Sequence, residues 1–359
     1  MTNHRIAVIP GDGIGPEVVN EAVKVLELLK TLDPSFVIDF DTFDWSSEFY
    51  LRHGKMMPED ALDVLKKYDA IFFGAIGDSR VPDDVTVWEL IMPIRKNFKQ
   101  YINLRPVKLL KGVSSRYDGE NIDFVIVREN AEGEYSNSGG RLYSGTEQEI
   151  AVQNTIITRM GTNKVARFAF EYARKQGKGT VTSATKSNAI IHSMKLWDEA
   201  VKEVGRDFPA INLQSYYVDA LAAYFVARPG DFEVVVASNL FGDILSDLGS
   251  AVAGGLGLSP SANLNPEGDF PSMFEPVHGS APDIAGKGIA NPIAQIWSAA
   301  LMLEHLGRKD LAAVILESIE HVLVKKEVLT PDLGGSSTTG EMGSAIRDAL
   351  RQLLLVKEG

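Results

Sequence analysis

The chain opens with a short apolar run, Ile6 to Ile9, that ends in a glycine-rich turn. A stretch from Pro16 to Leu32 follows, whose apolar positions recur at helical spacing. The alternation continues with FVIDFDTF as a strand, Pro58 to Lys67 as a helix, AIFFGAIG as a strand and Trp88 to Asn97 as a helix. IDFVIVREN, TVTSATK and FEVVVAS are further strands, with helices near Lys164 to Lys175 and Ile190 to Val204. Strands alternating with helices predict an α/β fold, helices packed on a largely parallel sheet. Two stretches break the rhythm. From Ser136 to Ile157 the chain is polar and β-branched with glycine turns, which predicts an exposed two-stranded arm. From Pro260 to Pro292 it is loop-rich, before helical patterns over Ile293 to Leu306, Leu311 to Lys325 and Glu341 to Val356. No internal repeat, low-complexity tract or flexible linker is evident.

Length changes the picture first: 359 residues, 45% of them apolar, exceed the usual single-domain range and predict two domains. The net charge of -12 leaves no general basic field for nucleic acid or an anionic membrane, so an anionic ligand needs a local basic cluster. Cysteine is absent, which excludes disulfide and thiolate chemistry and makes the cytoplasm the default location. The first apolar run is too short for a signal peptide and no segment reaches about 18 uninterrupted apolar residues, so a soluble protein is expected.

The most informative local feature is Asp243 and Asp247 in SNLFGDILSDL, where the strand Phe232 to Ala237 turns into a helix. Spacing of four puts both carboxylates on one helical face, where they repel unless a cation lies between them. A divalent metal would remove the conflict; equally, the macrodipole favours acids in the first turns of a helix. The histidines are not clustered and cysteine is missing, so a metal site must be built from oxygen ligands, suited to magnesium or manganese rather than zinc. Arg95, Arg105 and Arg128 would hold a dicarboxylate if they converged, and are otherwise ordinary ion-pair partners. Lys186 and Tyr135 lie just beyond strand ends, where α/β sheets place ligands, yet a solvated lysine and a half-buried aromatic explain them as well. Gly11, Gly13 and Gly15 suggest a dinucleotide fingerprint, but Pro16 stands where its third glycine should, and a tight strand-to-helix turn is an equal reading. His278 to Asp283 form a compact turn with an acid able to meet ribose hydroxyls, as NAD-preferring proteins use, or a plain loop. No G-x-S-x-G elbow supports a serine hydrolase.

Taken together, PGDGIGPEV, NLRP, VREN, TKSN, SNLFGDILSDL and FEPVHGSAPDIAGKGIANP resemble the decarboxylating dehydrogenases of the isocitrate/isopropylmalate family, in family order from Pro10 to Pro292. Within it, HGKMMPED, VTVWELIMPIR, ENAEGEYS and VVVASNLFGDILSDLG are most similar to the tartrate dehydrogenase/decarboxylase and D-malate dehydrogenase branch.

The resemblance implies an isopropylmalate dehydrogenase-like fold of two α/β domains sharing a large mixed sheet. Residues 1–98 plus 256–359 would form a discontinuous cofactor domain, and 99–255 a substrate and dimerisation domain with its arm at about 136–157. Arg95, Arg105 and Arg128 would clamp substrate carboxylates, Lys186 would be the base and Tyr135 the acid. Asp219, Asp243 and Asp247 would hold Mg2+ or Mn2+, with Lys186 and Asp219 contributed by the other subunit of a homodimer. A monovalent cation such as K+ is compatible with this chemistry. Ile14, His278, Gly279, Ser280, Ala281, Asp283 and Asn291 would bind NAD. Trp88, Ile91 and Met92 occupy places that set substrate size, where isopropylmalate enzymes carry glutamate and leucines; the bulky indole favours a small substituent. The implied reaction is NAD-dependent oxidation, with or without decarboxylation, of tartrate or D-malate, the latter to pyruvate and CO2. The alternatives are 3-isopropylmalate dehydrogenase and a catalytically silent nucleotide-binding member.

Overall fold

The computed structural model describes residues 3–117 and 121–357. Among them no helix is long and apolar enough to cross a membrane. The chain forms two compact units, one from Met1–Gln100, Leu109–Asp118 and Ala253–Gly359, the other from Tyr101–Lys108 and Gly119–Val252. Each is α/β.

In the first unit, strand Asn3–Gly11 lies between Val37–Thr42 and Ala70–Ala75, parallel to both. Ser272–Pro276 continues the sheet parallel to Ala70–Ala75, and Pro260–Leu264 runs antiparallel beside it. Ile6, Ala7, Val8 and Ile9 are all buried, as a strand covered on both faces requires. Helix Gly15–Leu32 turns Val18, Ala22, Val25, Leu26 and Leu29 inward, the stripe its periodicity predicts. The last two strands fall in the stretch read as loop. They are short and rich in Ser, Asn and Pro, so propensity is silent, and burial among neighbouring strands decides their state.

The expected helix from Trp88 does not start as an α-helix. Val87–Ile91 is a π turn closed by Met92 N–H on the Val87 carbonyl, and a regular helix runs only over Met92–Asn97. Pro93 is the cause: it has no N–H for the preceding turn, and its ring crowds the carbonyl four residues back.

In the second unit, Ile102–Lys108 pairs antiparallel with Asp123–Glu129. Val234–Ala237, Thr180–Thr185 and Asn212–Tyr217 follow in that order, all parallel. The strand Asn212–Tyr217 and the helix Val218–Ala227 after it are not evident from the sequence pattern, because the strand is largely exposed and alternates weakly. Gly139–Leu142 and Ile150–Gln153 pair as a separate exposed antiparallel ribbon, within the stretch expected to form an arm.

The N-terminal glycines have a packing reason. Gly13 has φ +58, and a Cβ there would lie 2.0 Å from the Ser280 carbonyl oxygen, which also accepts the Ile14 N–H at 2.8 Å. Backbone thus meets backbone between the first turn and the His278 turn. Gly13→Ala should therefore cost about 2 kcal/mol or more in denaturant unfolding, from a disfavoured φ plus a backbone clash. A loss under about 0.5 kcal/mol, the range of neutral surface changes, would contradict this packing.

Candidate active site

Strand register builds the basic part of the second unit. Asn103 is directly opposite Arg128, and Arg105 lies two residues along the same strand, so all three side chains leave one face of the sheet. Helix Asn239–Val252 packs across that face. Its approach depends on Gly242 and Gly249, where a Cβ would meet Arg128 Cγ at 2.6 Å and Val107 Cγ2 at 2.8 Å. The helix has no acid in its first turn, so the macrodipole does not account for Asp243 and Asp247. The arginines do. Arg128 Nη1 lies 2.6 Å from Asp243 Oδ1, and Arg105 Nη1 lies 3.1 Å from the same oxygen. Arg105 Nη1 also reaches Asp247 Oδ1 at 3.8 Å.

Both guanidinium groups are buried and held by neutral partners as well. Arg105 donates to Asn103 Oδ1 and Ser246 Oγ, each at 2.6 Å, and Arg128 donates from Nε and Nη2 to Asn239 Oδ1. Tyr135, in the short turn Glu134–Ser136, donates its hydroxyl to Asp243 Oδ2 at 3.0 Å, with Arg128 over its ring. Burial pushes the Tyr135 phenol up, and the Asp243 charge adds to the effect. Asp247 is also pushed up, first by burial and then by Asp243, against the pull of Arg105. A second carboxylate that shares this face with a like charge, among hard oxygen donors, fits a divalent cation of the magnesium or manganese kind.

Lys186 and Asp219 stand as a pair of their own. Lys186 Nζ lies 2.7 Å from Asp219 Oδ1, which holds that carboxyl below its usual range. Asp219 does not complete a three-carboxylate set within the chain: among the described residues no group of three or more His, Cys, Asp or Glu is placed to hold a metal.

In the first unit, Arg95 Nη2 pairs with Glu275 Oε1 at 2.8 Å, and Asn263 Nδ2 donates to the same oxygen at 2.6 Å. Arg95 Nε is buried with no hydrogen-bond partner. Trp88 carries the Lys96 ammonium 4.7 Å from its ring centroid, while Ile91 and Met92 are buried, Ile91 within the core around Leu90, Ile94 and Phe98. Ile14 packs with Val18, Ala281, Ile284 and Ala290. His278 Nδ1 lies 3.0 Å from the Gly279 carbonyl, and burial lowers the ring's pKa. Its Nε2 is buried without a partner, and Asp283 is exposed. An orphaned ring nitrogen, followed five residues on by an exposed acid, suits the hydroxyls and ring nitrogens of an adenosine. Asn291 Oδ1 accepts the Ile293 N–H at 3.0 Å just before helix Ile293–His305, and its Nδ2 donates to Asp332 Oδ2 at 2.9 Å.

Sequence reasoning missed Asn103, Asn239 and Ser246, which hold the arginines, and Glu275 and Asp332, which hold Arg95 and Asn291. Asn103 lies within NLRP, and Asn239 and Ser246 within SNLFGDILSDL, yet nothing local says that their polar groups point at guanidinium groups. It also missed Glu129. This buried carboxylate accepts the Ala131 and Glu132 N–H groups below the Tyr135 turn, and burial pushes it up to about 7.

The model of the family described as isocitrate/isopropylmalate dehydrogenase matches residues 5–346. The "Tartrate dehydrogenase/decarboxylase" of Pseudomonas putida is 51% identical over 97% of this chain and 98% of its own. The "D-malate dehydrogenase [decarboxylating]" of Escherichia coli (strain K12) is 49% identical over 96% and 98%. The solved structure of isocitrate dehydrogenase from Methylococcus capsulatus superposes with a TM-score of 0.90 at 35% identity, covering 97% of this chain and 99% of that one.

The raised Glu129 carboxyl has a signed consequence. A carboxyl whose folded pKa exceeds its unfolded value stabilises the fold below the unfolded value, and that contribution disappears as pH rises through the folded one. The difference in melting temperature between wild type and Glu129→Gln should therefore shift against the wild type as pH rises from about 4.5 to about 7, then level off. A shift in favour of the wild type over this window would contradict the assignment.

Proposed function

The chain belongs to the isocitrate/isopropylmalate dehydrogenase family, and from that premise we propose that it oxidises a small 2-hydroxy diacid, D-malate or a tartrate, using NAD and a divalent metal. It is an oxidoreductase, and D-malate is taken to pyruvate and CO2. One observation carries the reading: two buried guanidinium groups and the Tyr135 hydroxyl converge on Asp243, beside Asp247. The names of the two bacterial relatives, tartrate dehydrogenase/decarboxylase and D-malate dehydrogenase, support the choice of substrate.

Asp243 and Asp247, with Asp219 of a second copy, are the residues to hold the cation, and Ile14, His278 to Asp283 and Asn291 those to hold NAD. When bound, the cation supplies Lewis-acid polarisation of the hydroxyl and the later enolate oxygen, and NAD accepts the hydride. Arg95, Arg105 and Arg128 bind the carboxylates through the N–H groups that their protein partners leave available and fix which face of C2 is presented. Lys186 removes the hydroxyl proton as the C2 hydride leaves, giving a 2-keto acid. Loss of the β-carboxylate as CO2 leaves an enolate, whose carbon takes its proton from Tyr135. The Trp88 indole narrows the space for a C3 substituent. An exposed Asp283 repels a 2'-phosphate and favours NAD over NADP.

The catalytic unit in this reading is a homodimer. Lys186 and Asp219 pair with each other instead of joining Asp243 and Asp247, so a second copy must bring them to the site. Exposed apolar side chains support such an association: Leu142, Tyr143, Ile150 and Val152 on the ribbon, Ile190 and Ile191 beyond Lys186, and Ile244 between the aspartates.

NADH formation at matched concentrations of D-malate, L-tartrate and isopropylmalate, with manganese present, tests the substrate. D-malate or tartrate should lead; a preference of about a hundredfold for isopropylmalate exceeds what a few lost pocket methylenes explain and would sink the choice. Shared sites have their own test. Lys186→Ala and Asp243→Asn homodimers should be nearly inactive, while co-expression should restore about a quarter of wild-type activity, since half the dimers are mixed and each mixed dimer keeps one intact site. No recovery, with mixed dimers demonstrated by mass spectrometry, would mean that each site is built from one chain.

A further inference from the structure

We propose that Asn239 is a positioning residue that uses one side-chain amide to hold Arg128 and the Tyr135 turn in a common register, so that substrate capture and product protonation depend on the same group. The proposal rests on the roles given above to Arg128 and Tyr135.

Asn239 is the first residue of its helix and is almost completely buried. Its Oδ1 accepts from Arg128 Nε at 3.1 Å and Nη2 at 2.8 Å, and its Nδ2 donates to the Glu132 carbonyl at 3.0 Å. A guanidinium only donates and a carbonyl only accepts, so the amide satisfies both in a single orientation. Arg128 Nη1 is taken by Asp243, and the guanidinium is thereby fixed along two edges.

On the other side, Glu132 begins the turn that leads to Tyr135. The Glu129 carboxylate accepts the Glu132 N–H at 2.9 Å, and the Glu132 carboxylate accepts the Thr158 N–H at 2.8 Å and hydroxyl at 2.6 Å. Gly133 donates its N–H to the Ile156 carbonyl at 2.7 Å. Gly133 has φ +77, and a Cβ there would stand 3.1 Å from Asn239 Cβ, so this backbone rests directly on the asparagine. Of these anchors, Asn239 alone also grips a substrate-binding arginine. Among side chains of this length, only the asparagine amide offers a neutral oxygen acceptor and an NH2 donor on the two arms of one planar group. Aspartate would keep the acceptor for Arg128 but set a second oxygen against the Glu132 carbonyl; alanine would lose both contacts.

The test follows NADH formation and the released keto acids together, in wild type, Asn239→Ala, Asn239→Asp, Arg128→Lys and Tyr135→Phe, on whichever substrate of the panel the wild type turns over fastest. Asn239→Ala should raise KM about tenfold and raise the fraction of product released as the undecarboxylated keto acid about fivefold, with Arg128→Lys expected to match the first change and Tyr135→Phe the second. Asn239→Asp is isosteric and keeps the fold if alanine does not; it should reproduce the product shift. A side chain that merely stabilises the fold would lower the melting temperature and leave the product fraction per active site alone. A fraction within about twofold of wild type in the folded variants overturns the proposal. Because each value is a ratio to wild type on a working substrate, an error in the substrate assignment appears in the panel and not in this ratio.

Discussion

Two arginines buried against one shared aspartate are the constraint around which the second unit is arranged. Burying an ion costs several kcal/mol after relaxation, and the cost is offset only when the charge is paired and its remaining donors are satisfied. Arg128 and Arg105 keep 4% and 9% of their side chains exposed, whereas Asp247 keeps 60%. Two fixed positive charges therefore meet one largely enclosed negative charge and one that faces water. Asp243 and Asp247 balance the two guanidinium groups in number, but water screens the exposed Asp247, so in a protein with a net charge of -12 the two buried cations remain a local attraction for a diacid. Asn103, Ser246 and Asn239 hold the guanidinium groups through the protein's own hydrogen bonds, which limits the reorganisation left for binding.

The backbone makes that arrangement affordable. An antiparallel pair with Asn103 opposite Arg128 sends the polar side chains out of one face, and two glycines seven residues apart let a helix settle onto it with its aspartates pointing at the guanidinium groups. Either glycine replaced by a larger residue would lift the helix from the strands and lengthen the ion pairs. The first unit repeats the principle with different parts. A glycine at positive φ brings the first turn against the Ser280 carbonyl, and an aspartate away from the recognised motif, Asp332, orients Asn291. In both units a residue that touches ligand in the proposed reaction is held by one that does not.

Much of this was written in the sequence. The alternating pattern gave the α/β class because strand and helix periods differ and each must bury its apolar side. Absent cysteine and scattered histidines limited any metal to oxygen ligands. The ordered motifs from Pro10 to Pro292 identified the family, and Pro93 could have announced the π turn at Trp88, since a missing N–H is a local fact. Weakly alternating and Pro-rich strands were not legible in this way: Asn212–Tyr217, Pro260–Leu264 and Ser272–Pro276 owe their state to pairing with neighbours.

Residue identity and spacing determined which groups were available: three arginines, a lysine, a tyrosine, and aspartates four apart on one helical face. Only tertiary structure decided which of them meet. Arg105 and Arg128 share Asp243, Arg95 turns to Glu275, and Lys186 closes on Asp219, because strand register, helix docking and long-range pairing are properties of residues far apart in the chain. A side chain's type is local information; its partner, when buried, is chosen by the fold that removes water from both.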